Sequence, residues 1–156
     1  MYAMRRWTVR NSRNLERIYR QFERYLIRCH PFFTRIGYDR VEVVVRPLER
    51  WIKGRLFDCQ MCGECVLSST GMVCPMNCPK QLRNGPCGGV RQDGCCEVLP
   101  DMPCVWVEAE RGSRNMRYGA TIQWVQPPVD NRFKGVSSFL RVARGEHRAA
   151  AEIADL

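Results

Sequence analysis

The sequence contains no run near the roughly eighteen apolar residues of a membrane span, so no transmembrane segment is expected. Its first ten residues carry positive charge but neither an apolar core nor a cleavage signal. No secretory route is therefore expected, and the chain is read as cytoplasmic. No glycine-rich phosphate loop precedes a helix, no nucleophile elbow occurs, and strand patterns do not alternate with helical ones. Phosphate-cradling and serine-hydrolase sites drop out on those grounds. At 156 residues the chain is also too short for a (β/α)8 barrel of about 250 residues. Internal repeats and low-complexity tracts are absent. The length permits one domain with extensions, and 45% hydrophobic residues fit a folded chain rather than a disordered one.

Cysteine is what the chain has in excess. Nine of its ten cysteines lie between positions 59 and 104. Cys59, Cys62 and Cys65 form a C-x2-C-x2-C run, Cys74-Pro75 and Cys78-Pro79 follow, Cys87 sits in Gly85-Pro86-Cys87-Gly88-Gly89, Cys95-Cys96 form a doublet, and Cys104 precedes Val105-Trp106. Three thiolates at successive spacings of three are how one tight loop wraps a cubane iron–sulfur cluster, the fourth ligand coming from elsewhere, often a Cys-Pro. Proline supplies no N–H and turns the chain away. The glycines let the backbone close around a bulky centre and aim N–H groups at sulfur.

Two other chemistries use cysteine in this density. A disulfide framework needs an oxidising compartment, which the N-terminus does not suggest. Structural zinc sites use C-x2-C knuckles, but as two separated pairs, whereas here the third cysteine follows at once. Iron–sulfur is therefore preferred over zinc for the 59–65 run. The later cysteines discriminate less, and one cluster plus one zinc also satisfies the pattern.

The strings Cys-Gly-Glu-Cys at 62–65, Cys-Pro-Met-Asn-Cys-Pro-Lys at 74–80, Asn-Gly-Pro-Cys-Gly-Gly at 84–89, residues 94–98 and Cys104-Val105-Trp106 resemble the C-terminal domain associated with methylenetetrahydrofolate reductases. That domain is similar to the small iron–sulfur subunit, elsewhere described as zinc-binding, of two-subunit reductases. The likeness is strong over residues 47–107 and weaker over 124–140. The family pattern has one cysteine at the doublet, at Cys96, which leaves Cys95 spare. The resemblance then implies eight metal ligands, Cys59, Cys62, Cys65, Cys74, Cys78, Cys87, Cys96 and Cys104, enough for one or two 4Fe–4S clusters, with Zn2+ as the alternative at either site. It also implies a hetero-oligomer whose partner is the (β/α)8-barrel catalytic subunit holding flavin and folate. This chain would relay electrons to or from that subunit, or as a zinc module stabilise it without carrying electrons. Arg83 and Arg91 are candidates to offset the thiolate charge.

The formal net charge of +9 is unevenly spread. Residues 1–58 carry 14 basic and 6 acidic groups, residues 59–104 carry 3 and 4, and residues 105–156 carry 8 and 6. An arginine-rich end raises the question of nucleic acid, but the cysteine region is slightly acidic and no basic helix sits between ligand pairs, so no nucleic-acid partner is expected.

Asn11 and Ser12 are plausible N-caps for a helix to about Arg28, with Leu15, Ile18, Tyr19, Phe22, Leu26 and Cys29 on one stripe and arginines off it. That stripe reads as core, as a partner-docking face, or as a face for an anionic membrane. Residues 30–40 read as a turn-rich connection, His30 as a surface or packing residue, and Val41 to Val45 as a short strand. Pro47 suits the first turn of a second helix that packs Leu48, Trp51, Ile52 and Leu56 and braces Cys59. Beyond Cys104 come a polar stretch, an alternating segment at 120–126, and a last helix from Ser137 or Ser138 to about Ala154. The expected fold is a small cysteine-rich, metal-stabilised α+β domain with few regular elements. It divides into an N-terminal helical, Arg-rich extension (1–46), the metal-binding domain (47–107) and a partner-docking C-terminal extension (108–156).

Overall fold

The computed structural model describes residues 2–145. Among them six helices carry the regular structure: α1 (Tyr2–Arg10), α2 (Ser12–Arg28), α3 (His30–Ile36), α4 (Tyr38–Phe57), α5 (Val105–Asn115) and α6 (Ser138–Ala143). Short 3-10 turns lie at Pro75–Asn77, Gly119–Gln123 and Asn131–Phe133. The described residues hold no strand or sheet, only two isolated antiparallel bridges, Val90 to Cys96 and Cys95 to Pro103. The expected α+β domain is therefore corrected to a helical one, in which helices surround an irregular cysteine-rich region.

The main correction falls on α4. The β-branched run from Val41 to Val45 is helical, and so is everything from Tyr38 to Phe57, with Pro47 inside the helix. Strand propensity loses here because the burial has helical period: Val41, Val45, Glu49, Ile52, Lys53 and Leu56 turn inward while Val43, Val44, Leu48 and Trp51 stay exposed. Two inward positions are charged, which hides the stripe from a hydrophobic reading. Trp51, at 65% exposed, does not brace the cysteine loop among the described residues. Pro47 lacks the N–H that would reach the Val43 carbonyl, and it sits on the outer side where solvent serves that carbonyl.

The 30–40 connection is also helical, with Pro31 in its first turn. Gly37 (φ +95°) separates α3 from α4. The polar stretch after Cys104 forms α5, buried at Val105, Trp106, Glu108, Ala109, Gly112 and Ser113. The alternating 120–126 segment contains a 3-10 turn instead of a strand. The α2 boundaries are as expected, and α6 begins at Ser138 with the Ser137 side chain accepting from the Leu140 N–H. It ends at Ala143, and the continuation expected to about Ala154 lies outside the described residues beyond 145.

Helix α1 packs on α5 and α4, and α2 packs on α6 and α5. Much of the α2 stripe is thereby used within the chain: Leu26 is buried, Leu15 and Tyr19 pack on a core cluster, and Phe22 meets Phe139 edge-on at 4.7 Å. Ser12 Oγ donates to the Gly112 carbonyl at 2.8 Å, and the Glu16 carboxylate accepts the backbone N–H groups of Arg117 and Tyr118. A Cβ on Gly112 would strike the Gly71 carbonyl, so backbone meets backbone where the 66–73 loop crosses α5. Two apolar clusters result. One surrounds Trp106 with Val9, Val73, Val105 and Ala109; the other gathers Leu67, Met72 and Met116.

Candidate metal centres

The cysteines divide between these two regions. Helix α4 ends at Asp58, whose left-handed backbone (φ +52°) turns the chain and delivers Cys59. The loop then wraps tightly through Met61 and Gly63, both at positive φ. Glycine is required at 63, because a Cβ there would run into the Phe133 carbonyl. Cys59, Cys62 and Cys65 from this loop, with Cys74 from ahead of the Pro75 turn, line one cavity of about 20 Å³. The Met61 N–H points at Cys59 Sγ (3.4 Å), and the Met76 backbone bonds to Cys74. These are the amide-to-sulfur bonds that a thiolate centre needs.

Burial pushes the Cys59 thiol up to about 11 and the Cys74 thiol up to about 12. Repulsion from neighbouring cysteines, Cys65 among them, adds to this, and the amide N–H bonds oppose it. Without metal these thiols are neutral near pH 7, so metal binding must displace protons.

Around this cavity lies a charged interior that the sequence reading did not foresee. Lys53 Nζ donates to Glu49 Oε1 (2.8 Å) and meets Ser138 Oγ (2.6 Å). Ser137 Oγ donates to Glu49 Oε2 (2.5 Å), and the Phe139 ring lies 4.0 Å from the ammonium. Burial alone would lower the Lys53 pKa, but Cys65, Glu49 and Cys59 together raise it, so the group is an ammonium. Arg141 donates to the Gly63 carbonyl (3.1 Å) and stacks on Phe133 at 3.6 Å, clamping the cysteine loop from α6. Arg83, one of the two arginines expected to offset charge, lines the cavity; Arg91 does not, being exposed and paired with Asp93. The i,i+4 spacing of Glu49 and Lys53 was legible as a helical pair, but nothing in it signalled burial.

Cys78, Cys96 and Cys104 are buried in the Trp106 cluster, and Cys87 packs on its edge. The Gly89 N–H points at Cys87 Sγ (3.4 Å). Backbone bonds from Cys96 N to the Met102 carbonyl, Glu97 N to Gly89 and Cys104 N to Gly94 fold residues 87–104 into one knot. Cys104 stands at the N-terminal end of α5, and the Trp106 Nε1 donor is buried without a partner in this cluster. Gly85 lies flat on the Trp106 ring, which leaves no room for a Cβ.

The eight sequence-proposed ligands thus fall into two sets of four. Cys95 stays outside both, its backbone N–H held by Asp93, and Cys29, which closes α2, lines neither. His30 pairs with the Tyr38 hydroxyl at 2.7 Å and has no part in the cysteine groups. Among the described residues, no three His, Cys, Asp or Glu side chains converge closely enough to hold a single ion. The donor set nevertheless fits a thiolate centre in each set: four sulfurs, amide N–H groups aimed at them, and buried cations beside the first.

A family model described as the methylene-tetrahydrofolate reductase C terminal matches residues 38–132, from the first residue of α4 to the turn after the cysteine region. The match covers more than half of the chain, and the chain belongs to that family. No curated protein and no solved structure matches it.

Proposed function

We propose that the chain is a small metal-binding subunit of a methylenetetrahydrofolate reductase complex. In this reading it holds two four-cysteine iron–sulfur centres and relays electrons to or from a barrel subunit that binds flavin and folate. The observation that carries the reading is the division of eight cysteines into two sets of four in a member of this family. A bound cubane cluster supplies one-electron transfer, and the protein's part is to hold it and tune it. Four thiols that line one common cavity suit a shared metal centre. The described residues hold no sheet, and in this reading the flavin-binding barrel is supplied by a separate unit.

The zinc reading is favoured by one observation, the small size of the first cavity, about 20 Å³. In that case the chain stabilises its partner and carries no electrons. Anaerobic purification decides between the two. The relay reading expects a brown protein with about eight irons and a matching amount of sulfide per chain, from two four-iron clusters. A colourless protein with zinc alone sinks it.

A further inference from the structure

We propose that Arg83 is the counter-charge of the first cysteine group, its guanidinium donating to the sulfurs held by Cys59, Cys62, Cys65 and Cys74. The inference rests on the metal-binding reading above and assigns a residue that sets the properties of one centre and not the other.

Arg83 comes from the loop between Cys78 and Cys87, two members of the second group, yet its side chain lines the cavity of the first. It is 8% exposed. Nη2 donates to the Glu64 carbonyl at 2.9 Å, which anchors the guanidinium to the 59–65 loop. Nε and Nη1 are buried with no hydrogen-bond partner among the described residues. The nearest carboxylate on that loop is engaged elsewhere, because Glu64 accepts from the Asp130 N–H (2.9 Å) and faces Arg141 (3.9 Å). A buried guanidinium with idle donors is costly unless an anion takes them.

Four thiolates around a metal centre leave net negative charge, and this is the anion the donors suit. Lys53, the other buried cation on the cavity, is already engaged by Glu49 and Ser138. Arg83 therefore brings a positive charge that no carboxylate among the described residues cancels. Reducing an iron–sulfur centre adds one electron and one negative charge. A fixed cation in a poorly polarisable interior stabilises the reduced form more than the oxidised one, and so raises the potential. The second group, packed around Trp106, serves as the internal control.

The test uses the full chain, loaded anaerobically and titrated with dithionite while both centres are followed by electron paramagnetic resonance. In Arg83→Gln, which keeps an N–H donor but loses the charge, one centre is expected to become about tenfold harder to reduce, 59 mV for one electron, while the other holds its potential. Arg83→Lys should recover most of the shift. An unshifted pair of potentials, or equal shifts in both, overturns the assignment. If the protein carries zinc and no iron, the relay reading fails while this inference stays testable. Arg83→Gln should then release one of its zincs to a chelator about tenfold faster than the parent, and an unchanged release rate overturns it.

Discussion

Lys53 Nζ and Glu49 Oε1 lie 2.8 Å apart across one turn of α4, each residue only 2% exposed. The pair is closed by Ser137 and Ser138 from the start of α6, so it ties α4 to α6 directly behind the first cysteine cavity. Two charges sealed in this way stand or fall together, because either one alone is left without solvent or partner.

Lys53→Met is accordingly expected to cost about 3–5 kcal/mol, measured by urea unfolding of the metal-loaded protein. Adding Glu49→Gln should recover at least half, since glutamine keeps the serine hydrogen bonds and removes the unpaired carboxylate. A double variant no better than the single one would show that the ammonium is held by the cysteine group and not by Glu49.

The two cysteine sets should be separable. Cys74→Ala should abolish one centre and Cys104→Ala the other, each roughly halving the metal content. Cys95→Ser and Cys29→Ser should leave it unchanged. Metal analysis with spectroscopy of each variant checks this. If the Cys74 and Cys104 changes erase the same signal and spare the same remainder, the partition is wrong.

Glu23 provides a pH dependence of its own. Burial raises its carboxyl to about 7, against opposing pulls from Arg20 and Lys53. The folded state therefore binds a proton that the unfolded chain has released between about pH 4.5 and 7. Its contribution is fully present below that window and is lost as pH rises through 7. Glu23→Gln should raise stability at pH 8 by about 1–3 kcal/mol and have little effect at pH 4. Thermal melts at the two pH values decide it, and an equal gain at both contradicts the buried-carboxyl account.

The outward face of α4 is the best-placed surface for a partner. Val44, Leu48 and Trp51 follow one another at helical spacing and are 66%, 55% and 65% exposed. Leu48→Asp with Trp51→Asp should leave the isolated chain within about 0.5 kcal/mol of its parent. The same pair should weaken assembly with the proposed barrel subunit by about tenfold or more, read by titration calorimetry. Phe22→Asp should behave in the opposite way, destabilising the chain itself, because Phe22 packs on Phe139. Undiminished assembly in the double variant would move the interface elsewhere.

Local chemistry was legible in the sequence. The cysteine spacings marked the stretch that supplies both cysteine sets, Ser137 marked where α6 begins, and the string around Cys87 carried the family, because spacing, caps and turns depend on near neighbours. Reading α4 as strand, turn and short helix failed for a reason of the same kind. Its buried face carries Glu49 and Lys53, and a pattern of apolar residues cannot register a charge that becomes tolerable only beside Ser137 and Ser138, more than eighty residues away. The division of the cysteines was likewise a tertiary decision. Nothing in the spacing separates Cys74 from Cys78. The turn at Pro75–Asn77 sends one toward the α4 cavity and the other into the core around Trp106, and only packing against α5 settles which core each joins.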